Sequence, residues 1–295
     1  MIEEYLKIHG DYRNDKSFKE LTTIKMGGEI AHYIEPYNIE DLKQIISFLK
    51  VNCIPFKVIG NGSNLICGSS RFEGVVICLK HFDNYEINNN IIYVEAGVMV
   101  PYLVQVMLKN NLKGLEFASG IPGTIGGLIY MNAGAYKQDM SSVVKEVLVL
   151  KDDEVVRMNI DELKFAYRYS IFQEHPRWLI IAAYLKLEAG DPIKTKALIE
   201  DRAMRRRQSQ PIDKPSAGSC FRNPEGDFAW KLIDGIGYRG MRINDVEVSN
   251  KHSNFIINTS NGCGEDYLKL ALDIQEKVNA KYGIKLVMEV EKFNC

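Results

Sequence analysis

The sequence predicts an α+β fold rather than a regular doubly wound sheet, and three observations carry that reading. Strand-like stretches outnumber helical ones. The strands at 74–79, 91–96, 144–151 and 178–187 are separated by a single helix and by turn-rich segments. The one βαβ-like unit lies near the start of the chain. That unit opens with a helix over 38–51, where Asn38 can cap, Glu40 and Asp41 suit the positive N-terminal end, and Leu42, Ile45, Ile46 and Leu49 recur as one stripe. A strand at 56–59 follows. The helix at 100–111 is apolar, whereas the one at 192–208 is polar, ends in Arg205, Arg206 and Arg207, and is stopped by Pro211 and Pro215, which marks a domain boundary. The last segment holds a helix at 265–282, ended by Gly283, and a closing strand at 284–293.

Composition narrows the function classes. With 46% hydrophobic and 25% charged residues the 295-residue chain buries a sizeable core in two or three domains. A net charge of −1 offers no general field for nucleic acid or an anionic membrane, so an anionic ligand must be held locally. The longest apolar stretches fall short of the ~20 residues of a membrane span. The N-terminus lacks a basic and apolar leader, so the expected location is the cytoplasm. Six dispersed cysteines and five dispersed histidines predict neither a disulfide frame nor a metal site.

Two glycine-rich segments stand out. Gly60, Asn61, Gly62, Ser63, Asn64 and Leu65 begin like a dinucleotide fingerprint, but Leu65 replaces its third glycine and no Gly-Lys-Ser/Thr follows, which argues against Rossmann and P-loop sites. The segment reads either as a turn between strands or as a loop where backbone approaches phosphate. The second segment, 120–136, is so rich in glycine that it is expected to wrap a ligand, its free N–H groups forming an anion-binding nest.

Taken together, Leu-Thr-Thr-Ile-Lys-Met-Gly-Gly at 21–28, Val-Ile-Gly-Asn-Gly-Ser-Asn-Leu at 58–65, Gly-Ile-Pro-Gly-Thr-Ile-Gly-Gly at 120–127 with Met-Asn-Ala-Gly-Ala-Tyr at 131–136, Tyr-Arg-Tyr-Ser at 167–170, Pro-Ser-Ala-Gly-Ser-Cys-Phe-Arg-Asn-Pro at 215–224 and Glu289-Val290 resemble the UDP-N-acetylenolpyruvoylglucosamine reductases (MurB), of the shorter, second type. The resemblance implies a two-subdomain FAD-binding module of the vanillyl-alcohol-oxidase type followed by a smaller α+β substrate domain. The expected boundaries are 1–70, 71–207 and 208–283, with the last strand returning to the first part.

The resemblance also implies non-covalent FAD, NADPH as reductant, the enolpyruvyl ether of UDP-N-acetylglucosamine as substrate, and a monomer with no nucleic-acid or membrane partner. FAD contacts then fall on Gly60, Asn61, Gly62, Ser63, Asn64 and Leu65, and on Gly120, Ile121, Pro122, Gly123, Thr124, Gly126, Gly127, Ala133 and Gly134. Hydride addition builds a carbanion beside a carboxylate, so the site needs cationic or hydrogen-bond donors and an acid. Arg168 matches the arginine facing the carboxylate, Glu289 its helper, and Ser219 the proton donor. Cys220 is the intrinsically more acidic neighbour, but the Gly-Ser junction fits the motif, so Ser219 is preferred. Arg222 stands where many relatives carry Lys. Tyr167, Asn223 and Arg206 are expected to bind substrate. The segment 251–258 is assigned to packing.

Overall fold

The computed structural model describes residues 2–295. The chain forms two compact units. The first comprises residues up to Arg13, His32–Asn61 and Gly74–Arg205; the second comprises Asn14–Ala31, Gly62–Glu73 and Arg206–Cys295.

In the first unit the predicted strands at 91–96, 144–151 and 178–187 join two that the sequence reading does not name in a five-stranded antiparallel sheet, in the order Glu154–Asn159, Val144–Lys151, Leu179–Lys186, Ile91–Glu95, Tyr85–Asn88. Val94, Val147, Val149, Ala183 and Leu185 are buried in the same core as Leu103, Met107, Ile125 and Ile129 of the helices Val100–Lys109 and Ile125–Tyr130. The helix Ile39–Val51 forms as its pattern requires. Asn38 accepts from the N–H groups of Glu40 and Asp41, and Leu42, Ile45, Ile46 and Leu49 face inward. It leads to Phe56–Ile59, which pairs parallel with Phe72–Cys78 in a sheet completed by Ile30–Pro36 and Gly10–Arg13.

The second unit has a four-stranded sheet in the order Ser216–Ser219, Phe255–Asn258, Val246–Val248, Arg242–Ile243. The helix Gly264–Tyr282 buries Tyr267, Leu270, Ala271, Ile274 and Val278 in that core, and ends at Gly283 in the left-handed region with φ 67°.

Two expectations are corrected. The glycine-rich segment at 120–136 is not wholly irregular, because Ile125–Tyr130 is helical. Thr124 caps it by accepting from the Gly127 N–H, and Ile125, Leu128 and Ile129 are buried. Two adjacent glycines lower intrinsic propensity, and burial of the apolar residues overrides it. The closing strand is also shorter than expected, covering only Glu291–Phe293, which runs parallel to Leu65–Cys67. The preceding residues bond elsewhere: the Arg222 N–H donates to the Val287 carbonyl at 2.9 Å and the Glu289 N–H to the Cys220 carbonyl at 2.8 Å. A chain that changes partner within a few residues cannot keep one ladder, so Glu289 lies at the switch and not inside a strand.

Candidate active site

Within the first unit Gly60 and Asn61 meet the second glycine segment. Asn61 donates through Nδ2 to the Pro122 carbonyl at 2.8 Å, and a Cβ on Gly60 would stand 2.5 Å from Thr124 Oγ1. The expected nest is corrected in one respect. The N–H groups of Ile121, Gly123, Ile125 and Gly126 already bond to the carbonyls of Ala118, Ile121, Val98 and Ala96, so this is not a run of free donors. Several glycines serve the chain itself. A Cβ on Gly134 would be 2.2 Å from the Gln138 carbonyl oxygen, and Gly62 has φ 59° with the Leu21 carbonyl oxygen 2.1 Å from its Cβ position. Gly60 and Gly127, by contrast, are exposed. Leu65 is buried as the first residue of a strand, and Ala133 is held by an N–H bond to the Leu128 carbonyl at 2.8 Å.

Arg168 sits in a two-residue turn closed by reciprocal bonds between Ala166 and Tyr169 at 3.1 Å. Its φ of 57° is a position where glycine or asparagine is usual, and a non-glycine residue there costs on the order of 1 kcal/mol. The surroundings hold it. Arg168 Nη2 donates to the Gly134 carbonyl at 2.7 Å, the guanidinium lies 5.1 Å from the Tyr167 ring centre, and Gln173 Nε2 donates to the Arg168 carbonyl at 3.1 Å. Asn132 braces the same turn by donating to the Ala166 carbonyl at 2.9 Å. Tyr167 is half-exposed, as a ligand contact requires.

Gly134 belongs to the segment at 134–138, against which Arg202 packs. Arg202 is buried, 4.8 Å from the Tyr136 ring centre, and its Nη1 has no hydrogen-bond partner.

In the second unit Ser219 ends a strand that is bulged against Phe255–Asn258, with Gly218 at φ 78°. Bulges of this kind re-aim a side chain. Ser219 is half-buried and its hydroxyl makes no hydrogen bond among the described residues. One residue on, Cys220 bonds through its carbonyl to the Glu289 N–H, which fixes the backbones that carry Ser219 and Glu289 side by side. Asn64, expected at the cofactor, donates Nδ2 to the Glu289 carbonyl at 3.1 Å, while its own carbonyl accepts from the Glu291 N–H. Asn223 Oδ1 accepts from the Ala229 N–H at 3.1 Å, at the start of the helix Ala229–Gly235. Arg206 falls in the last turn of the helix Pro192–Ser209. Arg222 Nε is buried without a partner.

The thiol is not a rival to the hydroxyl. Cys220 is fully buried, and desolvation pushes its pKa up to about 12. It is therefore neutral at pH 7. Iodoacetamide at pH 8 is expected to alkylate the exposed Cys53 and leave Cys220 unmodified until the protein is unfolded, as read by peptide mass mapping. Rapid labelling of folded Cys220 would contradict its burial. The unfolded thiol titrates near ~8.5, so this group's contribution to stability is present below that pH and is lost as pH rises toward about 12.

Sequence reasoning missed the residues that brace these segments, namely Asn132, Gln173 and Arg202. The spacing of histidines gave no metal cluster, yet the fold brings His81 Nε2 to 2.9 Å from Asp11 and 3.9 Å from Glu35, in an ion-pair group on the first unit.

Residues 30–159 match the FAD binding domain family, and residues 210–293 match the UDP-N-acetylenolpyruvoylglucosamine reductase, C-terminal domain. The chain is 40% identical over 291 residues to the UDP-N-acetylenolpyruvoylglucosamine reductase of Caldanaerobacter subterraneus subsp. tengcongensis, an alignment covering 98% of this chain and 96% of that protein. The chain belongs to the UDP-N-acetylenolpyruvoylglucosamine reductase family. The crystal structure of the MurB reductase from Thermus caldophilus superposes with a TM-score of 0.83 at 30% identity, over 96% of this chain and 98% of that one. The berberine bridge enzyme from Eschscholzia californica matches with a TM-score of 0.51 at 14% identity, over 65% of this chain and 44% of that one, a likeness of fold alone. The expected α+β architecture, a vanillyl-alcohol-oxidase-type module followed by the reductase C-terminal domain, is thus in place.

The site residues suit a flavin dinucleotide. At exposed Gly127 the nearest atom to a Cβ position is Thr124 Oγ1 at 3.5 Å, so the backbone there is open to close approach, and Ser63 is partly exposed.

Proposed function

We propose that Arg168, Ser219 and Glu289 carry out the family reaction in this chain, with Gly60 to Leu65 and Gly120 to Gly134 as the cofactor-holding segments. As a member of the family, the protein is an FAD-dependent reductase, a UDP-N-acetylmuramate dehydrogenase, acting on the enolpyruvyl ether of UDP-N-acetylglucosamine in peptidoglycan precursor synthesis. FAD held by those segments, with NADPH as its reductant, would supply the hydride for the terminal vinyl carbon. The protein's task is then the anion and the proton. Arg168 presents two parallel donors to the substrate carboxylate, the geometry that a guanidinium fork offers and an ammonium does not. Glu289 assists at the enolate. Ser219 gives its proton to the carbon beside the carboxylate, which completes addition of hydride and proton across the double bond, and Arg222 places positive charge close to the resulting alkoxide. Tyr167, Asn223 and Arg206 contact the rest of the substrate.

The observation that carries this reading is the bond from the Glu289 N–H to the Cys220 carbonyl, which ties two of the three side chains to adjacent backbone across a long sequence separation. The three-part division at 1–70, 71–207 and 208–283 belongs to the same proposal, as do a monomeric state and a cytoplasmic location. Among the described residues no helix is long and apolar enough to cross a membrane.

The test is a flavin spectrum of the purified protein. NADPH is expected to bleach the absorbance, and the enolpyruvyl sugar nucleotide added anaerobically to restore it. Recovery with air but not with the sugar nucleotide would instead identify an oxidase of another small substrate.

A further inference from the structure

We infer that Asn254 is a positioning residue that sets the aim of Ser219; this rests on the proton-donor reading of Ser219. The residue is 4% exposed, and its amide bonds twice to one neighbour. Oδ1 accepts from the Phe221 N–H at 3.0 Å, and Nδ2 donates to the Phe221 carbonyl at 2.8 Å. The Asn254 carbonyl takes the Cys220 N–H at 2.7 Å. One residue therefore satisfies three backbone groups of the two residues that follow Ser219.

The arrangement has a mechanical reason. Ser219 is the last residue of its strand, paired with Phe255 just past a bulge that breaks the register between Ser216 and Ser219. Beyond the bulge the segment is gripped on one side by Asn254 and on the other by the backbone at 287–289, through the bonds of Glu289 to Cys220 and of Arg222 to Val287. A primary amide is the one side chain that mimics a peptide group with both donor and acceptor, so Asn254 acts as a short substitute strand partner. Removing one of its bonds leaves a buried backbone group unpaired and frees the segment to shift. A displacement of ~1 Å at a reacting group costs about 10²-fold in rate.

The test compares Asn254→Asp, Asn254→Ser and Ser219→Ala, each as flavin-loaded protein. Aspartate keeps the shape and the acceptor, but when ionised it cannot donate to the Phe221 carbonyl. Burial raises a carboxyl pKa, and the protonated form regains the donor. In Asn254→Asp, bleaching by NADPH should be unchanged while reoxidation by the sugar nucleotide falls about 10- to 100-fold at pH 8 and recovers as pH is lowered toward 6. Asn254→Ser, small enough to admit a water that satisfies Phe221, should fold, lose reoxidation and show no recovery. Amide hydrogen exchange at Cys220 and Phe221 should quicken in both. If Ser219→Ala reoxidises at the native rate, the proton-donor reading fails. If Ser219→Ala is slow but both Asn254 variants reoxidise normally, the positioning role is overturned. Equal loss of both half-reactions, or failure to take up flavin, would make Asn254 a scaffold residue and also overturn it.

Discussion

Ser219→Ala is expected to leave NADPH-driven bleaching of the flavin intact and to slow reoxidation by the enolpyruvyl sugar nucleotide by about 10²- to 10⁴-fold, the range of a lost general acid. Stopped-flow absorbance separates the two half-reactions. The expectation follows from the timing of charge. No carbanion exists while the cofactor is being reduced, so an acid aimed at the substrate carbon has no part in that half. A serine hydroxyl is a weak acid, and in the proposed role it would suffice because its proton would go to a strongly basic carbon. Ser219 is suited to the task by being half-buried, making no hydrogen bond among the described residues, and standing where a bulge turns the chain. The neighbouring Cys220 does not replace it, since full burial keeps that thiol neutral up to about pH 12. Equal slowing of both half-reactions would remove Ser219 from the proton step.

Arg168→Ala should likewise spare flavin reduction and lower the substrate-driven step by about 10²- to 10³-fold, the size of effect seen when one donor to a developing anion is removed. Arg168→Lys should recover little of it, because a single ammonium cannot copy the fork. The substitution also has a stability signature. Arg168 occupies a left-handed turn position with φ 57°, so Arg168→Gly, which loses the same side-chain contacts as Arg168→Ala but relieves the backbone strain, should melt no lower than Arg168→Ala while remaining as inactive. That pairing separates a strained functional residue from a structural one. Loss of NADPH bleaching in either variant would give Arg168 a different role.

Much of the architecture is legible in the residues. The stripe of Leu42, Ile45, Ile46 and Leu49 with Asn38 before it specifies a helix locally, and Gly283 specifies its end for Gly264–Tyr282 in the same way. Motif order across the chain puts forward Arg168, Ser219 and Glu289 as the proposed reacting residues. What escapes is non-local. The helix Ile125–Tyr130 is hidden behind two glycines because its stability comes from burial of Ile125, Leu128 and Ile129 and not from propensity. The partner switch at 287–291 depends on Cys220, Arg222 and Asn64, none of which is near in sequence. Asn254 leaves one faint trace, a polar amide immediately before the apolar strand Phe255–Asn258, and the reason for it appears only when Phe221 is placed beside it.

The strand Glu291–Phe293 has a bearing on biosynthesis. It pairs with Leu65–Cys67, and Asn64 grips Glu289 across a separation of 225 residues. Pairing of such high contact order forms late. A nascent chain therefore carries Leu65–Cys67 as an open edge until residues 291–293 have been made and have paired, which exposes it to wrong partners during synthesis.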